Sequence, residues 1–489
     1  MNNIIYNLPF LLFFIPLIGS ILTSLITNKK INVGITITSM FMLLVTLIYM
    51  IFAYQTGSTT YVNIKDNISL LGAEYRLNIF NIYVAFLLII TYIFMFITTN
   101  YEISGKVMNY NKYRRFFFST YLLNIFSAIG ILFTSNICNY FIFLEIYTFT
   151  IYTIISNSNN KNNLMIAYST FNQNIVSSLL ILLSIFGFVL YFNNTNMLII
   201  YQKFLTINIL KNPIVLLLIL FYMIGILLKF FSLNIYSNIY SSYKNEKILN
   251  NNLIYFLNLF INILLGSYCL IFFSNYLFNL GAIFSGKIFI NTIIIVASLL
   301  ILISFIMLIK MFNIVNIFIN FLFIDFIYII ILIILNNEFS LYLSFLLIAE
   351  HSLVNLAIFL IANILYKKYN DCEPDLLNNE QVLKYSFIAM LLVKIGIPLS
   401  FLFSYNYHYI VMVSTEKNLL LYIPFILIKI ICIFVIYKII MNTDDCEKEI
   451  VTDYNEKKIN LLTYSLYGVM TVVFVLIFLC PMIKNLIGF

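Results

Sequence analysis

Charged residues are scarce in this chain. Asp, Glu, Lys and Arg make up 9% of its 489 residues, whereas 62% are hydrophobic and the mean hydropathy is +1.00. A soluble domain needs far more polar surface than this composition supplies. The sequence therefore excludes a soluble protein and predicts a polytopic membrane protein.

Histidine is also rare, and its scarcity limits the cofactors that the chain could hold. Haem b in a membrane bundle and haem–copper centres need several axial imidazoles, and the sequence offers only His351 and His408. It contains no P-loop and no dinucleotide-binding fingerprint. The cysteines lack ligand spacing and are interpreted as small apolar residues; they are Cys138, Cys269, Cys372, Cys432, Cys446 and Cys480. By itself, the chain is not predicted to be a redox enzyme.

Long apolar segments recur along the whole chain, and each is long enough for a helix that crosses the hydrocarbon, which takes about 20 residues. We predict fourteen spans, starting near residues 5, 32, 78, 115, 137, 170, 213, 252, 288, 312, 341, 384, 419 and 462. The first has its lysines after its apolar core and none before it, so it is interpreted as a retained helix and not as a signal peptide.

Loop charge supports an even number of spans. Loops after odd-numbered spans carry seventeen Lys and Arg residues, those on the other side carry seven, and three lysines remain inside spans. Basic residues collect on the side that is not translocated. Both termini are therefore predicted on the face that is poor in positive charge. The net charge of +8 reflects this topology, and nucleic acid is not expected as a partner.

Residue usage indicates where the gene resides. Ile, Phe, Tyr, Asn and Lys, which have AT-rich codons, are abundant, whereas Gly numbers 14, Pro 7 and Trp none. A chain this apolar would be hard to import after synthesis elsewhere. Composition therefore predicts an organelle-encoded protein of the mitochondrial inner membrane.

Several ionisable residues lie well inside predicted spans: Glu145, Lys229, Asp325, Glu350, His351, Lys394, His408 and Lys429. A charge at the centre of a bilayer costs several kcal/mol, so such residues usually have a function. Each also has a structural alternative, because a lysine can extend to the membrane surface and a carboxyl group can hydrogen-bond a neighbouring helix. The series as a whole predicts ion movement through the membrane.

Glu145 and Lys229 are the strongest candidates. Glu145 lies mid-span with a side chain too short to reach either surface, so it must be neutral or paired, and Lys229 is its expected partner. In a low dielectric, moving either helix or a nearby charge changes the proton affinity of such a pair. The pair is therefore predicted to be the core of a proton relay.

Span 12 carries Lys394 just before Gly396 and Pro398. A mid-span proline removes a backbone hydrogen bond and clashes with the carbonyl four residues earlier, so the helix is expected to break there. Discontinuous helices expose backbone groups to ions in transporters. The alternative is a simple kink.

Several segments that contain these residues resemble a known protein family. The stretch NYFIFLEIYTFTIYTIISNSNNKNNLMIAYSTFNQNIVSSLLILLSIFGFVLYFNNTN looks like the fifth and sixth helices of the antiporter-like subunits of respiratory complex I, and is most similar to subunit two of NADH dehydrogenase, the NuoN type. Lys229 matches the family's seventh-helix lysine. Of the motif that follows this lysine in the family, the chain retains little beyond Ile239-Tyr240-Ser241. HSLVNLAIFLIANIL and DLLNNEQVLKYSFIAMLLVKIGIPLSFLF resemble the family's Asn-Leu-Gly-Ala-Phe helix and broken helix. The resemblance covers residues 80 to 440, carried more by order and spacing than by identity.

The chain also departs from the family. The eighth-helix lysine has no counterpart in LIYFLNLFINILLGSYCLIFF, and the lysine after the broken-helix motif falls near Asn406. That role is either lost or taken by Lys394 or His408. The resemblance therefore transfers a function firmly only to Glu145 and Lys229.

The resemblance implies an all-α subunit of about fourteen transmembrane helices, the antiporter-like subunit fold, with two inverted five-helix repeats that each contain a broken helix and a central lysine. The implied regions are 1–114 (spans 1–3), 115–277 (first repeat), 278–441 (second repeat) and 442–489 (loop and last span). Glu145 and Lys229 would serve the first half-channel. Lys310 or Asp325, then Lys394 and His408, would serve the second, with Glu350 and His351 as further relay candidates.

The implied function is proton translocation by a membrane-arm subunit of mitochondrial NADH:ubiquinone oxidoreductase, driven by quinone reduction elsewhere. Other membrane-arm subunits and the bilayer would be its partners, and both termini would face the intermembrane space. NADH, FMN, iron–sulfur clusters and ubiquinone would bind other subunits, and bound cardiolipin is left open against bulk lipid. The alternatives are a subunit-four-like chain, suggested by EHSLVNLAIFLIANILYKK, a free-standing cation/proton antiporter, and an inactive scaffold.

Overall fold

The computed structural model describes residues 2–55, 78–103, 113–156, 161–206, 212–230, 249–274, 286–310, 312–335, 338–369, 371–398, 400–441, 460 and 462–473. In these ranges the secondary structure is helical, apart from one isolated bridge between Asn136 and Asn196. Helices dominate because hydrocarbon offers the backbone no hydrogen-bond partner, so each segment must satisfy its own amides and carbonyls. The chain is an all-α, multi-pass membrane protein, as its sequence predicts.

The described residues form sixteen α-helices. They are α1 (Asn2–Leu25), α2 (Lys29–Gln55), α3 (Ile79–Ile103), α4 (Tyr113–Phe133), α5 (Ile137–Ser156), α6 (Lys161–Phe192), α7 (Met197–Thr206), α8 (Pro213–Phe230), α9 (Leu249–Phe272), α10 (Lys287–Lys310), α11 (Ile314–Leu335), α12 (Glu338–Tyr369), α13 (Gln381–Ile395), α14 (Phe401–Glu416), α15 (Tyr422–Met441) and α16 (Leu462–Val473). Two 3₁₀ turns, Pro374–Leu377 and Leu419–Leu421, flank the α13–α14 pair.

Every predicted span coincides with a helix or, for span 12, with the pair α13 and α14. Ten helices of the described part of the chain are long and apolar enough to cross a membrane, and three shorter apolar helices lie at spans 1, 8 and 14. The number fourteen itself stays a prediction. The short helix α7 lies in a segment that the sequence analysis left between spans.

Two helices are longer than the spans predicted for them. Both α6 and α12 have 32 residues, which corresponds to about 48 Å at 1.5 Å per residue. Their extra turns carry the polar residues at the ends, Lys161 on α6 and Lys367 and Lys368 on α12. A helix can continue past the hydrocarbon once its side chains become polar, so hydropathy alone underestimates its length.

The chain divides into two compact units, residues 1–278 and 279–489. In the first, α6 packs along α8, α5 packs between α4 and α6, and α1 packs on α4. In the second, α12 contacts α11, α13 and α14, and residues 351–366 of α12 are all buried. The central position of α12 explains why its polar residues lie in the interior of that unit. The inverted-repeat relation between the two halves stays a prediction.

Most exposed residues on α6 and α10 are apolar, as expected for contact with lipid. Exposed examples on α6 and α10 are Val176, Leu179, Phe186, Val296 and Ile303. Hydroxyls inside spans commonly donate to a carbonyl one turn back on their own helix, as Thr91 does to Leu88 and Ser184 to Ile181. These bonds let serine and threonine occupy a span without a partner helix.

Part of the sequence-based reading lies outside the described residues. This part comprises the continuation of span 7 after Phe230 with its Ile239-Tyr240-Ser241 match, the loop 442–459 and the residues from 474 onward. The broken helix implied for the first repeat therefore stays a prediction.

Candidate functional site

The structure gathers six of the eight ionisable residues of the spans into two clusters, one in each unit. The first cluster is Glu145, Ser178 and Lys229, from α5, α6 and α8. The second cluster is Asp325, Glu350, His351, Asn355 and Lys394, from α11, α12 and α13.

The first cluster is a compact triangle. Lys229 Nζ lies 2.7 Å from Glu145 Oε1 and 2.8 Å from Ser178 Oγ, and Ser178 Oγ donates to Glu145 Oε1 at 2.8 Å. The structure thus brings together the Glu–Lys pair that the sequence analysis expected, although the relay role of these residues stays a prediction. Ser178 was not singled out, because a serine in a span usually bonds its own helix. Its neighbour Ser177 does so, donating to Asn174 O at 2.7 Å.

The two ends of the first cluster differ in exposure. The Lys229 side chain is fully buried, whereas 40% of the Glu145 side chain is exposed on the surface of this chain. Its surroundings on that surface are apolar: Ile142 and Phe149 on α5, and Val176 and Leu179 on α6, are all exposed. The ion pair therefore runs from the interior of the first unit to its outer, apolar face.

The second cluster is larger and wholly buried. Lys394 Nζ lies 2.9 Å from Asp325 Oδ1 and 2.6 Å from Glu350 Oε1, and no side chain of the three is more than 5% exposed. Two carboxylates thus share one ammonium group. Unpaired charges in a low dielectric cost several kcal/mol each, so this cluster depends on its internal pairing.

Asn355 connects the members of the second cluster. Its Nδ2 donates to Asp325 Oδ2 at 2.6 Å, and its Oδ1 accepts from Lys394 Nζ at 3.4 Å. His351 Nδ1 lies 3.5 Å from Asp325 Oδ2 and 3.3 Å from Asn355 Nδ2. Asn355 was not predicted, but its spacing of four residues from His351 places both on one face of α12, which the sequence could have signalled.

The predicted break in span 12 is present and lies directly beside the second cluster. The helix α13 ends at Ile395, and Gly396 adopts a left-handed conformation with φ +81°. This is a common helix terminus, and Pro398 follows where a proline often does. A Cβ on Gly396 would lie 2.1 Å from Asn406 Nδ2, so the close approach of α14 also requires glycine here.

The carbonyls freed by the break are satisfied by side chains of other helices. Lys394 O, which is the acceptor that the missing N–H of Pro398 would have used, accepts from Lys429 Nζ of α15 at 3.0 Å. Asn406 Nδ2 of α14 donates to Ile395 O at 2.9 Å and to Gly396 O at 3.3 Å. Lys429 thus sets a positive charge at the negative end of α13, and Asn406, where the family's lysine falls, holds the break together.

Two candidates of the second half lie apart from these contacts. Lys310 is exposed in the last turn of α10. His408 is buried on α14 and packs edge-on against the rings of Tyr342 and Tyr407, with centroids 5.1 and 5.3 Å away. The structure therefore brings Asp325, Glu350, His351 and Lys394 together, and it does not place Lys310 with them.

Both clusters share one arrangement along the chain. A carboxylate on one span, Glu145 or Asp325, pairs with a lysine on the second span after it, Lys229 or Lys394. In each case the intervening span adds further polar contacts. Such an arrangement can hold a proton or an ion pair whose partners exchange when a helix end moves.

Comparison with known proteins gives a fold and no sequence family. No protein-family model matches the chain, and no curated protein matches it. Among solved structures, a chain of the Mrp complex from Dietzia sp. aligns with a TM-score of 0.78 at 14% identity, covering 99% of this chain and 96% of the other. A chain of the membrane-bound sulfane sulfur reductase, an archaeal respiratory membrane complex, aligns with a TM-score of 0.69 at 14% identity, covering 98% and 96%. The chain thus has the fold of membrane subunits in these two complexes.

Proposed function

We propose that this chain is an antiporter-like, proton-translocating subunit of a multi-subunit membrane complex. The observation that carries the proposal is the Glu145–Lys229 ion pair, held in mid-span by Ser178 in a chain of this fold. A buried lysine whose counter-ion lies on a separate helix can change its proton affinity when that helix moves. The chain-order match of the second cluster, Asp325 with Lys394, supplies a second such pair.

Exposure of Glu145 supports a partner subunit on this face. A carboxylate that is 40% exposed among apolar side chains in mid-span would be costly against lipid. A neighbouring membrane subunit that brings a donor to Glu145 would remove this cost. The structural neighbours also come from complexes of several subunits.

More finely, we propose that the complex is mitochondrial NADH:ubiquinone oxidoreductase and that this chain is its subunit-two-like membrane-arm component. The order of the motifs from residue 80 to residue 440 and the codon bias of the composition support this assignment. NADH, FMN, iron–sulfur clusters and ubiquinone would then bind other subunits. Both termini would face the intermembrane space, as the loop charges indicate.

A membrane subunit of an Mrp-type complex is the second candidate. The alignment with the Mrp chain has the higher TM-score of the two, 0.78 against 0.69. The two candidates differ in their partners, because only the first predicts association with NADH dehydrogenase activity.

A native gel of the source membranes, stained for NADH dehydrogenase activity and followed by peptide mass spectrometry, tests the finer proposal. We expect the chain in the active band in near-stoichiometric amount. Its recovery only in bands without that activity would refute the complex I assignment and favour the Mrp-type candidate.

Proton translocation per turnover in membrane vesicles tests the shared part. We expect Lys229→Ala to abolish it, because no other ammonium group contacts Glu145 within the described residues. Lys30→Ala, at an exposed position, is the matched control. Unchanged translocation in Lys229→Ala would identify the chain as a scaffold.

A further inference from the structure

The helix α6 holds α8 at two successive residues, Leu228 and Lys229. Gln173 Nε2 donates a hydrogen bond to Leu228 O at 3.1 Å. Lys229 Nζ donates one to Ser178 Oγ at 2.8 Å. The first contact is to the main chain beside the lysine, and the second is to its ammonium group. One helix therefore holds both the base and the tip of the Lys229 side chain.

A close approach of α6 and α8 brings Gln173 within reach of the Leu228 carbonyl group. Gly225 precedes Leu228 by three residues, and a Cβ on this glycine would lie 2.6 Å from Ile181 Cγ1 and 3.2 Å from Ser177 O. The missing Cβ lets the two backbones approach, as small residues do between membrane helices. The hydrogen bond from Gln173 thus belongs to a tightly packed helix pair.

The hydrogen bond to Leu228 O is the only one that the Gln173 side chain makes within the described part of the chain. Its Oε1 is buried and accepts none there. A carbonyl oxygen has two lone pairs, so Leu228 O can accept this bond and still serve a helix hydrogen bond. Replacing Gln173 by an apolar residue of the same length therefore removes one contact to the main chain of α8 and leaves the other described hydrogen bonds in place.

The second unit holds its lysine in a similar way. Lys429 Nζ donates to Lys394 O at 3.0 Å, as Gln173 donates to the carbonyl beside the lysine of the first unit. The donors differ in charge, because one is an ammonium group and the other a neutral amide. An amide orients the main chain without a second positive charge beside the lysine. Among the described residues, Glu145 is thus the only charged group in contact with Lys229.

We infer that Gln173 is a positioning residue for Lys229. A lysine has a flexible four-carbon stem, so its ammonium group is confined only if the main chain that carries it is confined too. By holding the peptide group beside Lys229 on α6, the Gln173 amide keeps the ammonium group between Glu145 and Ser178. This placement follows from the contacts, whereas its effect on translocation rests on the proposed function.

Chemical labelling of lysines in membranes that contain the complex tests the placement. The variant Gln173→Met keeps the length of the side chain and removes the donor. We expect a small, membrane-permeant amine reagent to modify Lys229 about fivefold faster in this variant than in the wild type, as the loss of one hydrogen bond would allow. Peptide mass spectrometry measures the rates.

Lys394 of the second unit is the internal reference, and Gln202→Met, at an exposed position on α7, is the matched control variant. The rate at Lys394 in Gln173→Met and the rate at Lys229 in Gln202→Met should each change less than about twofold, because distant sites act independently. An unchanged rate at Lys229 in Gln173→Met would overturn the inference. An equal increase at Lys394 would also overturn it, since it indicates a general loosening. If Gln173→Met does not assemble, Gln173→Leu takes its place.

Proton translocation in membrane vesicles gives the second readout. We expect Gln173→Met to lower it about fivefold although Lys229 is present, as one lost hydrogen bond would, and Gln202→Met to leave it level. Faster labelling of Lys229 in Gln173→Met together with full translocation in Lys229→Ala would refute the proposed function alone. Abolished translocation in Lys229→Ala, with neither labelling nor translocation changed in Gln173→Met, would refute the positioning role alone.

Discussion

The first and second clusters solve the same electrostatic problem in different ways. Glu145 and Lys229 form one ion pair with a single serine, and the carboxylate is 40% exposed on an apolar face. The Lys394 ammonium group contacts two carboxylates and the Asn355 amide, and no side chain of its two ion pairs is more than 5% exposed. The first cluster depends on whatever covers its outer face, whereas the second is completed within its own unit.

This difference indicates which structural change can act on each cluster. A partner that contacts the first unit can reach Glu145 directly and change its charge balance. The second cluster is reached through the broken helix, because Lys394 lies in the last turn of α13 and its carbonyl is held by Lys429. Movement of α14 or α15 would therefore act on Lys394 through the break.

The largest expected difference between the two clusters is in stability, when the lysine of each is replaced. Lys394→Ala leaves Asp325 and Glu350 buried without their ammonium partner, and we expect a loss of about 3–5 kcal/mol in the stability of the folded complex. Lys229→Ala leaves only Glu145, which is partly exposed, so its loss should be clearly smaller. The thermal loss of monodisperse complex on size exclusion measures both, with Lys30→Ala as the control. Equal losses for the two variants would contradict the difference drawn between the clusters.

A variant of Asn355 tests whether its side chain connects Asp325 and Lys394 in the second cluster. Asn355→Leu removes a donor to Asp325 and an acceptor for Lys394, and we expect a loss of about 1–3 kcal/mol from the unpaired groups left behind. Asn363, two turns further on α12, is equally buried and its amide makes no hydrogen bond within the described residues. Asn363→Leu should therefore be neutral or stabilising. The same thermal assay decides the point, and a larger loss at residue 363 would argue against the bridge.

The smallest effect is expected in the first cluster. Ser178→Ala removes one hydroxyl from the Glu145–Lys229 pair, and the loss should be about 1 kcal/mol. The adjacent Ser177→Ala removes a hydroxyl that bonds only its own helix in the described contacts, so it should cost less. Proton translocation should fall with Ser178→Ala and stay level with Ser177→Ala. If both variants lowered it equally, the serine would not act through the ion pair.

The sequence predicted the fold class and the pairing of Glu145 with Lys229 because both follow from simple constraints. Apolar segments of membrane length must be helices, and a mid-span carboxylate needs a counter-charge. The break near Gly396 was also predictable, since Gly and Pro in a span end a helix. The short helix α7 and the extra turns of α6 and α12 were not, because hydropathy reports lipid contact and not helicity.

The roles of polar but uncharged residues were harder to predict. Ser178 and Asn406 have no signature of their own, since a serine or asparagine in a span commonly bonds its own helix. Asn355 is signalled only by its spacing of four residues from His351. Their importance comes from the helices opposite them: Glu145 for Ser178, Asp325 for Asn355 and the freed carbonyls of α13 for Asn406.

By itself, the sequence determined that this chain lies in a membrane, that its segments are helical and that its buried charges must find partners, because the cost of an unsatisfied group in hydrocarbon allows nothing else. Only the tertiary structure decided which partners meet. It placed Asp325, Glu350 and Asn355 around Lys394 and left Lys310 on the surface. The contacts among Asp325, Asn355 and Lys394 join residues 30 to 69 positions apart, and such contacts are set by how helices pack and not by local sequence.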